Sequence, residues 1–137
     1  MRYSLFDGVR DELILVARVM LVVLYLIFGW TKLTGFAATV HYMASIGTPM
    51  PEIAAVVAVI MEFFVGLAIA VGFYTRPLAL LLAIYTIVTA FIGHRFWTMT
   101  GAAAYGNEIN FFKNLSIMGG LLLLCITGPG KYSIDRK

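Results

Sequence analysis

Residues 53–73 read IAAVVAVIMEFFVGLAIAVGF, a run in which Glu62 is the sole charged side chain and every other position is apolar or glycine. At about 1.5 Å per residue the run covers the roughly 30 Å hydrocarbon core of a bilayer. A soluble amphipathic helix would place a polar stripe about every 3.6 residues, and this run has none. The segment therefore reads as a membrane span. An ionisable group inside a span costs roughly 2.5–3.5 kcal/mol on insertion scales, so it faces the bundle interior, pairs, or lines a polar pathway.

The rest of the chain agrees with a membrane setting. Of its 137 residues 61% are hydrophobic and 12% charged, and the mean hydropathy is +0.93. That apolar share exceeds the roughly 45–50% of ordinary soluble domains. The formal charge of +3 is spread among loops, without the clustered basic face that nucleic-acid binding requires. A single cysteine, Cys125, excludes a disulfide or a CxxC redox pair within one chain. The amino-terminal MRYSLFDGVRDELILVARV carries both signs of charge ahead of an apolar run and reads as an uncleaved first span rather than a signal peptide.

Four spans are expected, at about residues 13–33, 53–73, 78–97 and 109–127 of a single transmembrane domain, 1–137. The fold class is all-α, an integral membrane antiparallel four-helix bundle. Pro51 suits a first helical turn, with Glu52 near the positive end of the helix dipole. Gly72 and FYTRP make a tight turn that lays spans two and three side by side. Asn107 and Glu108 offer a cap and an acid for span four, and GPG at 128–130 stops it. Between spans one and two, FAATVHYMASI repeats Phe36, Val40, Met43 and Ile46 at helical spacing, which predicts a short interfacial helix. The second long connection, FWTMTGAAAYGNE, is Gly- and Ala-rich and is expected to be flexible or partly folded over the bundle. Arg2, Arg10, Arg76, Lys131, Arg136 and Lys137 fall on one side, Lys32, Arg95 and Lys113 on the other. That bias predicts both termini in the cytoplasm.

At 100° per residue the polar positions of each span fall on one face. Arg18, Tyr25, Gly29 and Lys32 share a stripe, as do Ala58, Glu62, Gly66 and Ile69. Ala83, Thr86, Ala90 and His94 make a third, and Asn110, Lys113, Asn114, Ile117 and Leu121 a fourth. Counted from the span ends, Glu62 lies near mid-membrane, with Arg18 able to reach it from one side and Lys113 or His94 from the other. Two uses follow. An ion pair of Glu62 with Arg18 or Lys113 would fix helix register. Alternatively His94, Lys113, Asn110 and Asn114 would present hydrogen-bond donors to quinone carbonyls or to an anionic head group. The two histidines, His41 and His94, lack carboxylate or thiol neighbours in metal-ligand spacing, so neither a metal site nor haem is expected.

Taken in order, the early Arg18, GWTKLTGF, GTPMPE, MEFFVGLAIAVGFYTR, HRFW, NFFKNLSIMGGLLLL and GPGKYSID resemble the DoxX family of small bacterial inner-membrane proteins along nearly the whole chain. The resemblance implies four membrane helices and a link to quinone-dependent oxidation, as in the quinone-reducing subunit of a thiosulfate-oxidising enzyme, or to membrane oxidoreductase complexes against oxidative stress. It also points to Arg18, Gly29, Lys32, Glu62, Gly66, Gly72, His94, Asn110, Lys113, Asn114 and Gly120.

The expected function is a membrane subunit of a quinone-linked oxidoreductase system. Glu62 and His94 are the catalytic candidates, and Arg18, Lys32, Asn110, Lys113 and Asn114 the ligand-binding ones. A quinone is the cofactor expected, and the electrons are expected from a soluble oxidoreductase or sulfur-transfer partner or from a small substrate. The competing readings are a non-catalytic scaffold that anchors such partners, or a small-molecule carrier, which with four spans would work as a homo-oligomer.

Overall fold

The computed structural model describes residues 5–136; Arg2 and Lys137, which enter the charge count, lie outside the described residues. A 3₁₀ turn, Asp7–Val9, leads into α1 (Arg10–Thr34). Then come α2 (Phe36–Ser45), α3 (Pro51–Val71), α4 (Thr75–Gly93), a second 3₁₀ turn (Phe96–Thr98), and α5 (Gly101–Thr127). Four helical stretches, Asp7–Thr34, Pro51–Val71, Thr75–Thr98 and Gly101–Thr127, are long and apolar enough to cross a membrane. The protein is an all-α membrane bundle in which α1 packs along α3 and α4 along α5.

Local chemistry sets the boundaries. Pro51 opens α3 at a position where its missing N–H costs nothing. Gly72 closes it with φ +74, a conformation that glycine adopts without penalty. Its neighbour Tyr74 also takes positive φ before α4 begins. The short helix expected after α1 is α2, which lies against the start of α3, with Phe36, Val40, Ile53 and Val57 lining an open cleft between them. The second long connection differs from expectation. It is helical from Gly101, about two turns before the expected start at 109, because the Ala102–Ala104 run favours helix. Asn107 therefore sits inside α5 rather than capping it.

The first and last described residues lie at the end of the bundle that also holds the α3–α4 turn, here the termini end; α2 and the α4–α5 connection mark the loop end. In lipid, burial of apolar side chains supplies little drive, so close packing and polar ties fix the arrangement. The termini end is tied densely. Buried Arg18 donates from Nε to the carbonyl of Ala70 at 3.2 Å, and from its terminal nitrogens to the carbonyls of Pro129 and, at 2.8 Å, Tyr132. The Asp135 carboxylate caps the start of α4 through the N–H groups of Tyr74 and Thr75. Arg76 reaches across from α4 to the terminal carbonyls of α5, at Cys125, Ile126 and Thr127. The segment after α5 is thus stitched over the termini end.

The core changes along its length. Toward the termini end Val22, Ile69, Leu82 and Leu121 are completely enclosed, together with Ala79. Toward the loop end it is built of small residues, Gly29, Ala55, Ala58 and Ala90, beside the polar cluster described next.

Candidate functional site

Within α3, residues Ile60–Val65 form a π-helical turn that holds Glu62. Such turns carry one extra residue in the helix and are frequent at functional sites. The backbone of Glu62 and Phe63 abuts α1, where Gly29 makes room. A Cβ on Gly29 would stand 2.6 Å from the Phe63 nitrogen and 2.9 Å from the Glu62 carbonyl carbon. Gly29 is therefore a condition of this helix contact.

Both carboxylate oxygens of Glu62 are engaged. Lys32 Nζ donates to Oε2 at 2.7 Å, and the Tyr85 hydroxyl donates to Oε1 at 2.7 Å. The Glu62 side chain is 12% exposed and that of Lys32 26%. Lys32 lies two residues from the end of α1 and also stands over the Phe28 ring. Beside the trio, the hydroxyls of Tyr25 and Thr86 share a 2.5 Å hydrogen bond deep in the bundle. Thr86 donates in turn to Leu82 O, and Asn114 donates from α5 to the Thr86 carbonyl at 3.4 Å. Polar groups from four helices thus meet at one level.

The expected ion pair of Glu62 with Arg18 or Lys113 is corrected by this geometry. Arg18 is spent on backbone carbonyls at the termini end, and Lys113 is exposed on α5, donating to Asn110 Oδ1 one turn away at 3.1 Å. Lys113 also lines an open groove of about 480 Å³ with Tyr105, Glu108, Ile109, Phe112 and Ser116. His94 Nδ1 lies 3.0 Å from Asn107 Oδ1 at the loop end. Of the named site residues, then, Glu62 and Lys32 stand together, Asn114 reaches the neighbouring threonine, and His94, Asn110 and Lys113 lie toward the loop end. Arg18 stands apart.

Tyr85 is the partner the stripes overlooked. A signal for it exists: Glu62 lies 11 residues before Phe73 and Tyr85 11 residues after Tyr74, so the tight α3–α4 turn brings them to equal depth. Among the described residues no group of three or more His, Cys, Asp or Glu side chains is placed to hold a metal ion.

The DoxX family model matches residues 13–95. The inner membrane protein YphA of Escherichia coli is 53% identical over 137 residues, covering 100% of this chain and 98% of that protein. The inner membrane protein YqjF of the same organism is 46% identical over 93% of this chain and 92% of its own length. A Surfeit locus protein 4 homologue of Schizosaccharomyces pombe is 39% identical over 50% of this chain and 24% of that protein. No solved structure matches the chain significantly. With the family matched over more than half of the sequence, and full-length relatives this similar, the chain belongs to the DoxX family of membrane proteins.

Proposed function

We propose that the protein is the membrane subunit of a quinone-linked redox system of the bacterial inner membrane, with both termini cytoplasmic and Glu62 as the group that exchanges a proton. One observation carries this reading: an acid on a π turn is held between an ammonium and a phenol, at a depth where ionisable groups are costly unless used or paired. A quinone becomes a quinol by taking up two electrons and two protons. The electrons would come from a soluble oxidoreductase or sulfur-transfer partner. This chain would supply the site and one proton path.

The donors at the loop end of α5 suit quinone carbonyls. Lys113 and Tyr105 stand beside Phe112 on one exposed face of α5, where a quinone head group would lie along the helix. Asn114, on the same helix, donates to the Thr86 carbonyl, and Tyr85, next to Thr86 in α4, donates to Glu62. Binding of a short-tail quinone to the purified protein, its Glu62→Gln variant and its Lys113→Ala variant tests the reading. Binding by the parent that weakens in Lys113→Ala is expected. No binding by the parent, or unchanged binding in both variants, sinks it.

A scaffold is the second reading, favoured by the internal satisfaction of both Glu62 oxygens and of Arg18. In that case Glu62→Gln lowers stability, no quinone binds, and a partner is recovered through the exposed loops.

A further inference from the structure

We propose that Glu62 exchanges its proton with the aqueous phase at the loop end only, so that the bundle is a one-sided access path closed toward the termini end. The inference deepens the proton role given to Glu62 above, and its test does not involve a quinone.

Three observations meet here. First, the trio opens toward the loop end. Lys32 is two residues from the end of α1 and 26% exposed, and an ammonium held there takes its exposure toward water or head groups rather than hydrocarbon. Second, burial deepens toward the termini end: the Glu62 side chain is 12% exposed, whereas Tyr25, packed about one turn nearer the termini end beside Gly66, is 5% exposed and Thr86 2%. Third, the opposite direction is blocked twice. Val22, Ile69, Leu82 and Leu121 form a layer with no exposed surface. Beyond it Arg18 pins the 129–132 backbone across the bundle end. A fixed positive charge at that depth opposes entry of a proton from that side.

The groups around Glu62 on the elements packed against it are Lys32 and Tyr25 on α1 and Tyr85 on α4, while α5 contributes Asn114 through Thr86. Lys32 lies on the loop side of Glu62, and Tyr25, beside Gly66, about one turn on its termini side. Below Tyr25 and Thr86 the next polar side chain of α1 is Arg18, two turns away and fully engaged.

The test uses the full chain in liposomes, sorted by whether protease removes a carboxy-terminal tag from outside. A water-soluble, positively charged carbodiimide with an amine nucleophile is added externally, and modification of Glu62 is read by peptide mass. Faster modification when the loop end faces the reagent is expected, by roughly tenfold or more, because a charged reagent pays to cross an apolar layer. Equal modification from both sides, modification from the termini side alone, or none from either overturns the proposal. A second measurement needs no reagent at Glu62. Under an imposed pH gradient, with a trapped pH-sensitive dye, proteoliposomes are expected to leak protons no faster than empty liposomes. Conduction by the parent protein would overturn the closed barrier. Loss of quinone binding with one-sided access intact would count against the function proposed above and leave this inference standing.

Discussion

At the scale of single residues, the protein's chemistry gathers on the Glu62 carboxylate, and its two partners are not equivalent. Lys32 brings charge and Tyr85 brings a neutral donor. Removing either leaves a largely enclosed oxygen unmatched, which costs about 1–3 kcal/mol. Lys32→Gln and Tyr85→Phe are each expected to lower the thermal midpoint in detergent. Lys32→Gln combined with Glu62→Gln should recover part of the loss, because the uncompensated charge disappears. Strict additivity in that cycle would show that the pair does not interact. The sequence makes Glu62 conspicuous, as one acid in an apolar run, and it flags Lys32 on the same α1 face as Gly29. It conceals the pairing. Stripes drawn at 100° per residue assume a regular α-helix, and the π turn at Ile60–Val65 breaks that register around the acid itself. The acceptors of Arg18 are backbone carbonyls, which no side-chain pattern reveals.

At the scale of elements, the decisive contact is α1 against α3. Gly29 and the π turn fit as a matched pair, with 2.6 Å between a hypothetical Gly29 Cβ and the Phe63 nitrogen. Gly29→Ala must push backbone rather than a flexible side chain, so the helices separate, at a cost typical of overpacking, about 1–3 kcal/mol or more. The expected outcome is a lower thermal midpoint together with faster carbodiimide modification of Glu62, as Lys32 is drawn away. A variant with unaltered stability and reactivity would mean that the two helices are not held this closely. Element boundaries were legible where chemistry punctuates the chain, at Pro51, Gly72 and Gly128. The start of α5 was not, because Asn107 and Glu108 look like a beginning. The alanines before them carry the helix onward, and Asn107 instead accompanies His94.

At the scale of the whole molecule, the segment after α5 is bound to α1 and to the α3–α4 turn. Lys131 N donates to Asp11, the Tyr132 hydroxyl to Glu12, and the N–H groups of Ile134 and Asp135 to the carbonyls of Val71 and Gly72. A Cβ on Gly72 would lie 2.2 Å from that of Ser133, so this segment is seated against the turn. Arg18→Met removes the donors that hold the Pro129 and Tyr132 carbonyls. It is expected to make the bond after Lys131 several times more sensitive to trypsin, roughly in line with loss of one or two hydrogen bonds of about 1 kcal/mol each. Unchanged cleavage would mean that the other ties suffice. The four spans, their antiparallel order and the existence of a short helix after α1 could be read from hydropathy and turn chemistry. This stitching could not, since it joins residues more than 100 positions apart through main-chain groups.

The uneven distribution of these ties has a mechanical consequence. At one end the arginine, the aspartates and the folded-back segment clasp α1, α3, α4 and α5 together. At the other, among the described residues, Phe91, Phe96, Trp97, Phe111 and Phe112 pack ring against ring between α4 and α5, while the polar ties are chiefly Lys32–Glu62, His94–Asn107 and Arg95 to the Ile46 carbonyl. Such a bundle is expected to bend like tweezers, pivoting about its clasped end and parting at its tips between the α1–α3 pair and the α4–α5 pair. Hydrogen exchange in nanodiscs should therefore be faster across residues 93–101 and 46–51 than across 128–135, and the reverse order would place the pivot at the wrong end.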